Sequence, residues 1–459
     1  MQIARPFSPL SSPFRSITIA ALLSLSLLPL AGCKSQNAKI IEPFEDVDRP
    51  TSGWGLRKLQ PGEYPDMKLA WMDKAGLEQA IDKSLQFLRA PSSRQWYPSS
   101  NPGDTITHDQ VVATLDDVKN MLHQNLTPDQ FQQNILTRYD VYTSIGYNDK
   151  GDVWFTGYFT PTYYGSTTRT AEYQYPIYSR PSDLQTDPIS GKTLGQYPTR
   201  AELAASGKLN GSALLWFKKP IEPFMVQVQG SAKVILTNGQ TVFVGYAGSN
   251  GREHKGLGTQ LRDSGKIDPK HVSLPAVLAY FDQHPDELNT DIMKDDRMTF
   301  QKIYTAAEVR EWPTGSLNVQ VTPDRTLATD KDIFPRASLT FINVAKPDAS
   351  GTLSPYQGLV LDQDTGGGIR AAGRADIYMG ADAAAGQKAG EEFAQGRLYY
   401  VFLKPELINP ALYPDLRNGT GAVPTVPPPG RGRGATPPAP RTTGSRGGDE
   451  MFPGAVNPR

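Results

Sequence analysis

Two neighbouring stretches carry the most information about this chain: Gln363-Asp364-Thr365-Gly366-Gly367-Gly368-Ile369 and Arg374-Ala375-Asp376-Ile377-Tyr378-Met379-Gly380. Three consecutive glycines let the backbone fold tightly and let a bulky ligand approach it. Asp376 stands twelve residues after Asp364 in an apolar, strand-like segment, so we expect partial desolvation to raise its pKa. An acid catalyst of glycosidic cleavage needs a carboxyl group that keeps its proton near neutral pH. The two stretches therefore predict a carboxylate-based site.

The same residues also allow purely structural interpretations. The Asp364 side chain could form a turn with the backbone that follows it. Asp376 could be a buried acid paired with Arg374 or Arg370. From these residues alone, both interpretations stay open.

The surrounding sequence predicts a mainly β fold with helices. Apolar periodicity from Leu77 to Leu88 and a helix start at Thr127-Pro128 predict helices in the N-terminal part. The dipeptide Asn238-Gly239 predicts a hairpin turn, and Ser273 to His284 predicts a helix with Ser273 as N-cap. A further short helix is predicted at Ala381 to Phe393. Strands are predicted at Val153 to Thr160, Phe224 to Gln229, Val234 to Thr237, Val242 to Tyr246, Val319 to Val321, Leu339 to Val344, Leu359 to Leu361 and Leu398 to Leu403.

Composition excludes several classes of function. The chain has 459 residues and a formal net charge of zero, so it is long enough for two domains and lacks the basic excess of a nucleic-acid binder. Its five histidines show no ligand spacing, and it has one cysteine, so we expect no metal site and no cofactor.

The N-terminal residues predict export and lipid anchoring. Arg5 and Arg15 precede an apolar run, Ile17 to Leu30, of the kind found in a secretory signal peptide, here residues 1–32. Leu30-Ala31-Gly32-Cys33 resembles the lipobox of bacterial lipoproteins, which makes Cys33 the expected site of lipidation; a chance thiol is the alternative. An aspartate directly after the lipidated cysteine would favour retention in the inner membrane, so Lys34 at this position favours the outer membrane. We therefore expect an anchor in the outer membrane, on its periplasmic face.

Both flanks of the body are predicted to be extended. Residues 33–64 are polar with scattered prolines, which is typical of a tether. Residues 414–459 are rich in Pro, Gly and Arg, which predicts a disordered tail. The arginines of this tail could bind anionic wall polymers or simply be solvated.

Three blocks in order resemble the membrane-bound lytic murein transglycosylase A family, which carries a C-terminal three-aspartate domain. The first contains Thr156-Gly157-Tyr158-Phe159-Thr160-Pro161 and Gln174 to Tyr178, and the second contains Phe224 to Ser231 and Gly245 to Gly251. The third contains Thr329 to Pro335 and Asp364 to Gly380. The resemblance covers about Val153 to Pro405.

The resemblance implies a fold and an activity. The fold is a large domain with a double-psi β-barrel, built from residues 65–160, with the N-terminal helices, and 319–405. A smaller β-rich domain, residues 161–318, is inserted, and the glycan strand lies in a groove between the two. The activity is that of a peptidoglycan lytic exotransglycosylase, a lyase that leaves a 1,6-anhydromuramoyl end, although the residues do not separate endo from exo action. The expected partners are peptidoglycan glycan strands, the outer membrane through the lipid anchor, and cell-wall synthesis or hydrolysis proteins.

The resemblance also assigns residues. The family's catalytic acid falls on Asp376. Its second aspartate falls on Asp364, which is expected to hold the sugar or to stabilise developing positive charge. The third falls on Asp330, which is expected to be a supporting acid. Hydroxyl, amide and aromatic groups suited to binding sugar are supplied by Tyr158, Thr160, Gln229, Tyr246 and Asn250. Each of these could instead be a satisfied polar residue at a strand end or turn.

The chain departs from the family pattern in two places. His254 and Gly256 stand where an aromatic residue and a serine are expected, which affects the predicted sugar contacts. Pro335-Arg336-Ala337 replaces a Pro-x-Gly turn.

Two other classes of function compete with this prediction. Asp364-Thr365-Gly366 matches the aspartic-protease signature, but a single-chain protease needs a second copy, which the sequence lacks. A non-catalytic peptidoglycan-binding lipoprotein that tethers the wall to the membrane is the stronger alternative, and it would not need Asp376.

Overall fold

The computed structural model describes residues 53–101, 103–188, 191–269, 272–348 and 351–413. The predicted signal peptide, Cys33, most of the tether and the predicted tail at 414–459 lie outside the described residues. Within these ranges, no helix has both the length and the apolar character needed to cross a membrane.

The N-terminal part consists of short strands and four helices that pack on the core. The predicted stripe of α2 is buried, from Leu77 to Leu88. Thr127 caps α4 through a capping box with Gln130, as the helix-start pattern predicts. The elements are β1 (Leu56–Lys58), α1 (Lys68–Met72), α2 (Leu77–Arg89), β2 (Ser99–Asn101), β3 (Asp104–Ile106), α3 (His108–Leu122), α4 (Pro128–Arg138), β4 (Tyr139–Ser144) and β5 (Asp152–Tyr158).

The middle part forms its own sheet, in the order β11-β10-β9-β6, with a separate β7–β8 pair. The predicted hairpin is present: β9 and β10 pair antiparallel around Asn238-Gly239, where Gly239 has φ of 81°. The elements are β6 (Thr162–Gly165), β7 (Tyr175–Tyr178), α5 (Arg200–Ser206), β8 (Ala213–Phe217), α6 (Ile221–Gln229), β9 (Ser231–Leu236), β10 (Thr241–Ser249), α7 (Leu257–Asp263), α8 (Leu274–Gln283), α9 (Pro285–Met293) and β11 (Thr299–Ile303).

The C-terminal part closes a barrel with β5. Six strands form a ring, in the order β16-β13-β14-β12-β15-β5, and β5 pairs back onto β16. The β12–β14 and β15–β5 pairs are parallel, and the other four are antiparallel. The elements are β12 (Thr326–Ala328), β13 (Leu339–Pro347), β14 (Leu353–Asp364), β15 (Arg374–Tyr378), α10 (Ala383–Glu391) and β16 (Phe393–Leu403).

This ring confirms the predicted fold class, a mainly β protein with helices and a barrel whose strands come from both ends of the body. Apolar side chains of the barrel and of α2 to α4 form one continuous core, including Phe155, Leu327 and Phe341. The middle part has separate, smaller clusters. The boundaries at residues 160 and 319 stay predictions.

Two predicted strands are wrong. Residues Phe224 to Gln229 lie in helix α6, because Pro223 in its first turn and Gly230 in the left-handed conformation at its end favour a helix. An apolar run of this length fits either structure. Val319 to Val321 form a loop that closes on itself, in which the amide of Gly315 donates to Val319 O and Asn318 has φ of 58°. Gln320 forms an isolated antiparallel bridge with Thr314, but this pairing does not extend into a regular strand.

Candidate functional site

The barrel topology brings the two predicted catalytic aspartates to either side of one residue. Ala328, the last residue of β12, pairs with Asp364 on β14 and with Asp376 on β15. Neighbouring strands lie about 4.8 Å apart, so the two Cα atoms are separated by roughly 10 Å. Residues paired laterally in a sheet point to the same face. The two carboxylates therefore lie on the same face of the sheet.

Asp376 is held by two side chains from neighbouring positions. Its partner in the parallel β15–β5 register is Thr156, whose hydroxyl donates a hydrogen bond to Oδ1. Nη2 of Arg374 lies 3.5 Å from the same oxygen and 3.3 Å from the Thr156 hydroxyl. The Asp376 side chain is 20% exposed, so the oriented carboxylate remains accessible.

Asp364 lies in a more enclosed position with three hydrogen-bond donors. The backbone amides of Ser316 and Thr365 donate to Oδ1 at 2.8 Å, and the Tyr158 hydroxyl donates to Oδ2 at 2.8 Å. Burial raises the pKa of Asp364 above its ordinary value, although these donors and the charge of Lys331 act to lower it. The sequence predicted a carboxyl group of raised pKa at Asp376; the structure shows one at Asp364.

Tyr158 forms a hydrogen bond with Asp364 and lies close enough to Asp376 to feel its charge. Burial raises its pKa well above the ordinary value, and the charges of Asp364 and Asp376 raise it further. Its ring lies 5.1 Å from the ring of Tyr378 at 50°. The hydroxyl therefore stays protonated and donates to Asp364, so the polar group of this residue, which was predicted to bind sugar, already has a partner in the protein.

Asp330 supports the loop that carries the glycines. Its Oδ2 accepts from the amide of Ala371 at 2.9 Å, and its Oδ1 accepts from the amide of Asp332 at 3.0 Å. Ala371 has φ of 71°, so this contact secures a backbone conformation that non-glycine residues rarely adopt. The geometry gives Asp330 a positioning function for the segment between Asp364 and Asp376.

The predicted sugar-binding residues occupy different environments. Thr160 is 1% exposed, and its hydroxyl lies 3.1 Å from both the Ser231 and Tyr378 hydroxyls. Oε1 of Gln229 accepts from the amide of Phe159 at 3.1 Å. Both contacts thus join the end of β5 to the middle part of the chain.

Asn250 corrects the expectation of a sugar contact. It is fully buried, its Nδ2 donates to Pro198 O and Asp296 O, and its Oδ1 accepts from the amides of Met298 and Arg252. Both the donors and the acceptor oxygen of its side-chain amide are thus bonded to backbone groups. Tyr246, by contrast, is 47% exposed beside a bulge in the β10–β11 pair and is available to a ligand.

Sequence reasoning did not assign a function to Thr156. Side chains alternate along a strand, so Thr156 shares the face of Tyr158, which was predicted to lie in the site. That alternation was the signal that could have identified it. The contact of the Ser316 amide with Asp364 was not detectable, because it depends on how a loop folds back.

A second group of residues has the appearance of a nucleophilic triad. Ser93 Oγ lies 2.9 Å from His108 Nε2, and His108 Nδ1 lies 3.3 Å from Asp109. Ser93 is fully buried, however, and its hydroxyl donates to backbone carbonyls, as that of a structural serine does. Among the residues in the described ranges, no group of three or more His, Cys, Asp or Glu side chains is placed to hold a metal ion.

Comparison with known proteins places both halves of this site in one family. A model described as the MltA specific insert domain matches residues 154–302, and one described as the 3D domain matches residues 325–402. Membrane-bound lytic murein transglycosylase A of Escherichia coli (strain K12) is 28% identical over 270 residues, which is 58% of this chain and 70% of that protein.

Solved structures share the fold. A membrane-bound lytic murein transglycosylase from Agrobacterium tumefaciens superposes with a TM-score of 0.62 at 22% identity, over 76% of this chain and 98% of the other. Escherichia coli MltA with bound chitohexaose superposes with a TM-score of 0.59 at 22% identity, over 78% and 97%. From the matched insert and three-aspartate segments and from the curated relatives, the chain belongs to the membrane-bound lytic murein transglycosylase A family.

Proposed function

We propose that this protein is a lytic transglycosylase of peptidoglycan. It cleaves the β-1,4 bond between N-acetylmuramic acid and N-acetylglucosamine and leaves a 1,6-anhydromuramoyl end. The observation that carries the proposal is the pairing of Asp364 and Asp376 on either side of Ala328, with the Tyr158 hydroxyl donating to Asp364. The names of the relatives and the chitohexaose bound to Escherichia coli MltA support a glycan as the ligand.

Asp376 is the catalytic residue in this proposal. Its carboxyl group protonates the glycosidic oxygen as the bond to the anomeric carbon breaks. The resulting carboxylate takes the proton of the 6-hydroxyl of muramic acid, whose oxygen attacks the anomeric carbon of the same sugar. Thr156 orients the group, and Arg374 stabilises the carboxylate form that the second step requires.

An intramolecular nucleophile explains why one principal carboxyl group suffices. Ordinary glycosidases use a second carboxylate either as nucleophile or to activate water. Here the attacking hydroxyl belongs to the substrate and is already positioned, so no water molecule needs activation. Asp364 then serves to hold the sugar and to stabilise the positive charge that develops at the anomeric carbon.

The proposal is tested with the chain from Ser35 to Arg459 on isolated sacculi. The wild type is expected to release muropeptides lighter by one water than hydrolytic products, as read by mass spectrometry. Asp376→Asn should abolish them, whereas Asp282→Asn, an exposed acid on α8, should not. Hydrated products would contradict the transglycosylase chemistry. Binding to sacculi without release of any product would instead support the non-catalytic wall-tethering lipoprotein.

We also propose that the enzyme acts from the periplasmic face of the outer membrane through a lipid on Cys33. The relatives' names, which call them membrane-bound, support membrane association. Labelled palmitate should enter the full-length protein in cells but not a Cys33→Ser variant. Equal labelling of both forms would contradict lipidation at this cysteine.

A further inference from the structure

The glycine-rich loop after Asp364 is covered by two arginines. A Cβ atom at Gly367 would lie 2.7 Å from Cζ of Arg297, so the guanidinium rests directly on the glycine backbone. Arg370, within the same loop, donates through Nε to Gly367 O at 3.2 Å. Gly367 thus allows an approach that any larger residue would prevent.

The guanidinium groups of this pair have no direct carboxylate partner. Among the residues that the structure describes, neither Arg297 nor Arg370 forms an ion pair with a carboxylate. Burial is the main reason that the pKa of Arg297 lies below its ordinary value; the like charge of Arg370 lowers it further, whereas Tyr246 and Asp295 act to raise it. Two guanidinium groups that repel each other across one glycine favour a bound anion between them.

The framework around the pair is rigid. Asp295 is 1% exposed and accepts from the amide of Arg297 at 3.2 Å, while Nδ1 of His254 lies 2.9 Å from its Oδ2. The His254 ring lies against the loop, with Cδ2 3.6 Å from where a Cβ of Gly368 would stand. The arginine of the middle part is therefore fixed over the loop that follows Asp364.

We propose that Arg297 and Arg370 form a subsite that binds a carboxylate carried by the muramic acid residues of the glycan strand. This inference rests on the proposed function and specifies its substrate as an anionic strand. The carboxylate has two sources: the stem peptide, or the lactyl group once the peptide has been removed. Paired arginines bind a carboxylate through several charge-assisted hydrogen bonds. A neutral chitooligosaccharide has no carboxylate and therefore cannot form them.

The test measures binding to the full-length chain carrying Asp376→Asn, so that ligands are not consumed. Three ligands are compared by calorimetry: strands with stem peptides, the same strands after amidase treatment, and neutral chitohexaose. Arg297→Gln and Arg370→Gln should each weaken binding of an anionic strand by about tenfold or more, and binding of chitohexaose should be unchanged. Arg370 is exposed, so its substitution leaves folding intact even if that of half-buried Arg297 does not.

Each outcome decides the inference. A loss confined to peptide-bearing strands identifies the stem peptide as the source, and a loss that includes the amidase-treated strands identifies the lactyl carboxylate. An equal loss with chitohexaose, or a loss no larger than that of the exposed control Arg310→Gln, overturns the subsite. If the wild type releases no anhydro product but the selective binding loss persists, the proposed reaction fails and the subsite stands.

Discussion

Glu392 supports a quantitative prediction about pH and stability. It follows α10, is 2% exposed, and neither of its carboxylate oxygens has a hydrogen-bond partner among the described residues. Burial raises the pKa of Glu392 from 4.5 to about 8, and the charge of Lys346 offsets only part of this. The native protein therefore keeps this group protonated across the neutral range.

The sign of the effect follows from proton linkage. Below pH 4.5 both the native and the unfolded chain hold the proton, so Glu392 makes no difference to stability. Above that pH the unfolded chain releases the proton while the native state keeps it, and stability falls as pH rises. The loss is complete near pH 8, where the native carboxyl group also ionises.

The size of the effect can be estimated from the same shift. Each pKa unit corresponds to about 1.4 kcal/mol, so the full cost approaches about 5 kcal/mol. Glu392→Gln removes the ionisable group and should raise the melting temperature by about 6 °C at pH 8 for a body of this size. The difference should vanish near pH 4.5. Calorimetric melting curves across this pH range measure both values.

Glu391→Gln provides the matched control, because Glu391 is the exposed neighbour on the same helix end. It should leave the pH dependence of the melting temperature unchanged. If Glu392→Gln and the wild type show parallel melting curves from pH 4.5 to 8, the argument from desolvation is refuted.

Three further predictions concern the site. Tyr158→Phe removes a hydrogen-bond donor that stabilises the ionised form of Asp364. The acidic limb of the pH–rate profile should therefore shift to higher pH by about one unit. If that limb does not shift, ionised Asp364 takes no part in the reaction. Thr156→Val should lower kcat about tenfold with little change in KM, because Asp376 loses its orienting donor; an effect on KM alone would contradict this. Asn250→Ala should cost about 3 kcal/mol in denaturant unfolding without affecting binding of chitohexaose, since its amide serves the backbone.

Much of the secondary structure followed from short-range patterns. Thr127 and Ser273 cap helices as predicted, and Asn238-Gly239 turns a hairpin. The segment Phe224 to Gln229 is a helix and not the predicted strand, because its apolar residues fit either structure while Pro223 in its first turn and Gly230 at its end favour a helix. The alternating residues Val319 to Val321 instead fold back after a turn at Gly315 to Asn318 and form a single bridge, not a strand.

The roles of individual polar residues were less accessible. Asn250 and Thr160 have side chains suited to sugars, but both are buried and fully engaged. The type of a residue does not reveal its exposure, and exposure decides whether a polar group meets a ligand or the backbone. Tyr158 likewise gives its hydroxyl to Asp364.

Capping, turns and the apolar stripe of α2 could be derived from the chain alone, because their interactions act between residues a few positions apart. The resemblance of the segments around Asp364 and Asp376 to a known family could also be read without coordinates. Tertiary structure decided the rest: strand pairing in the barrel places Ala328 between the two acids, and packing of the middle part against the barrel lays Arg297 over Gly367. These contacts join residues distant in sequence, and the sum of core packing rather than any local pattern selects them.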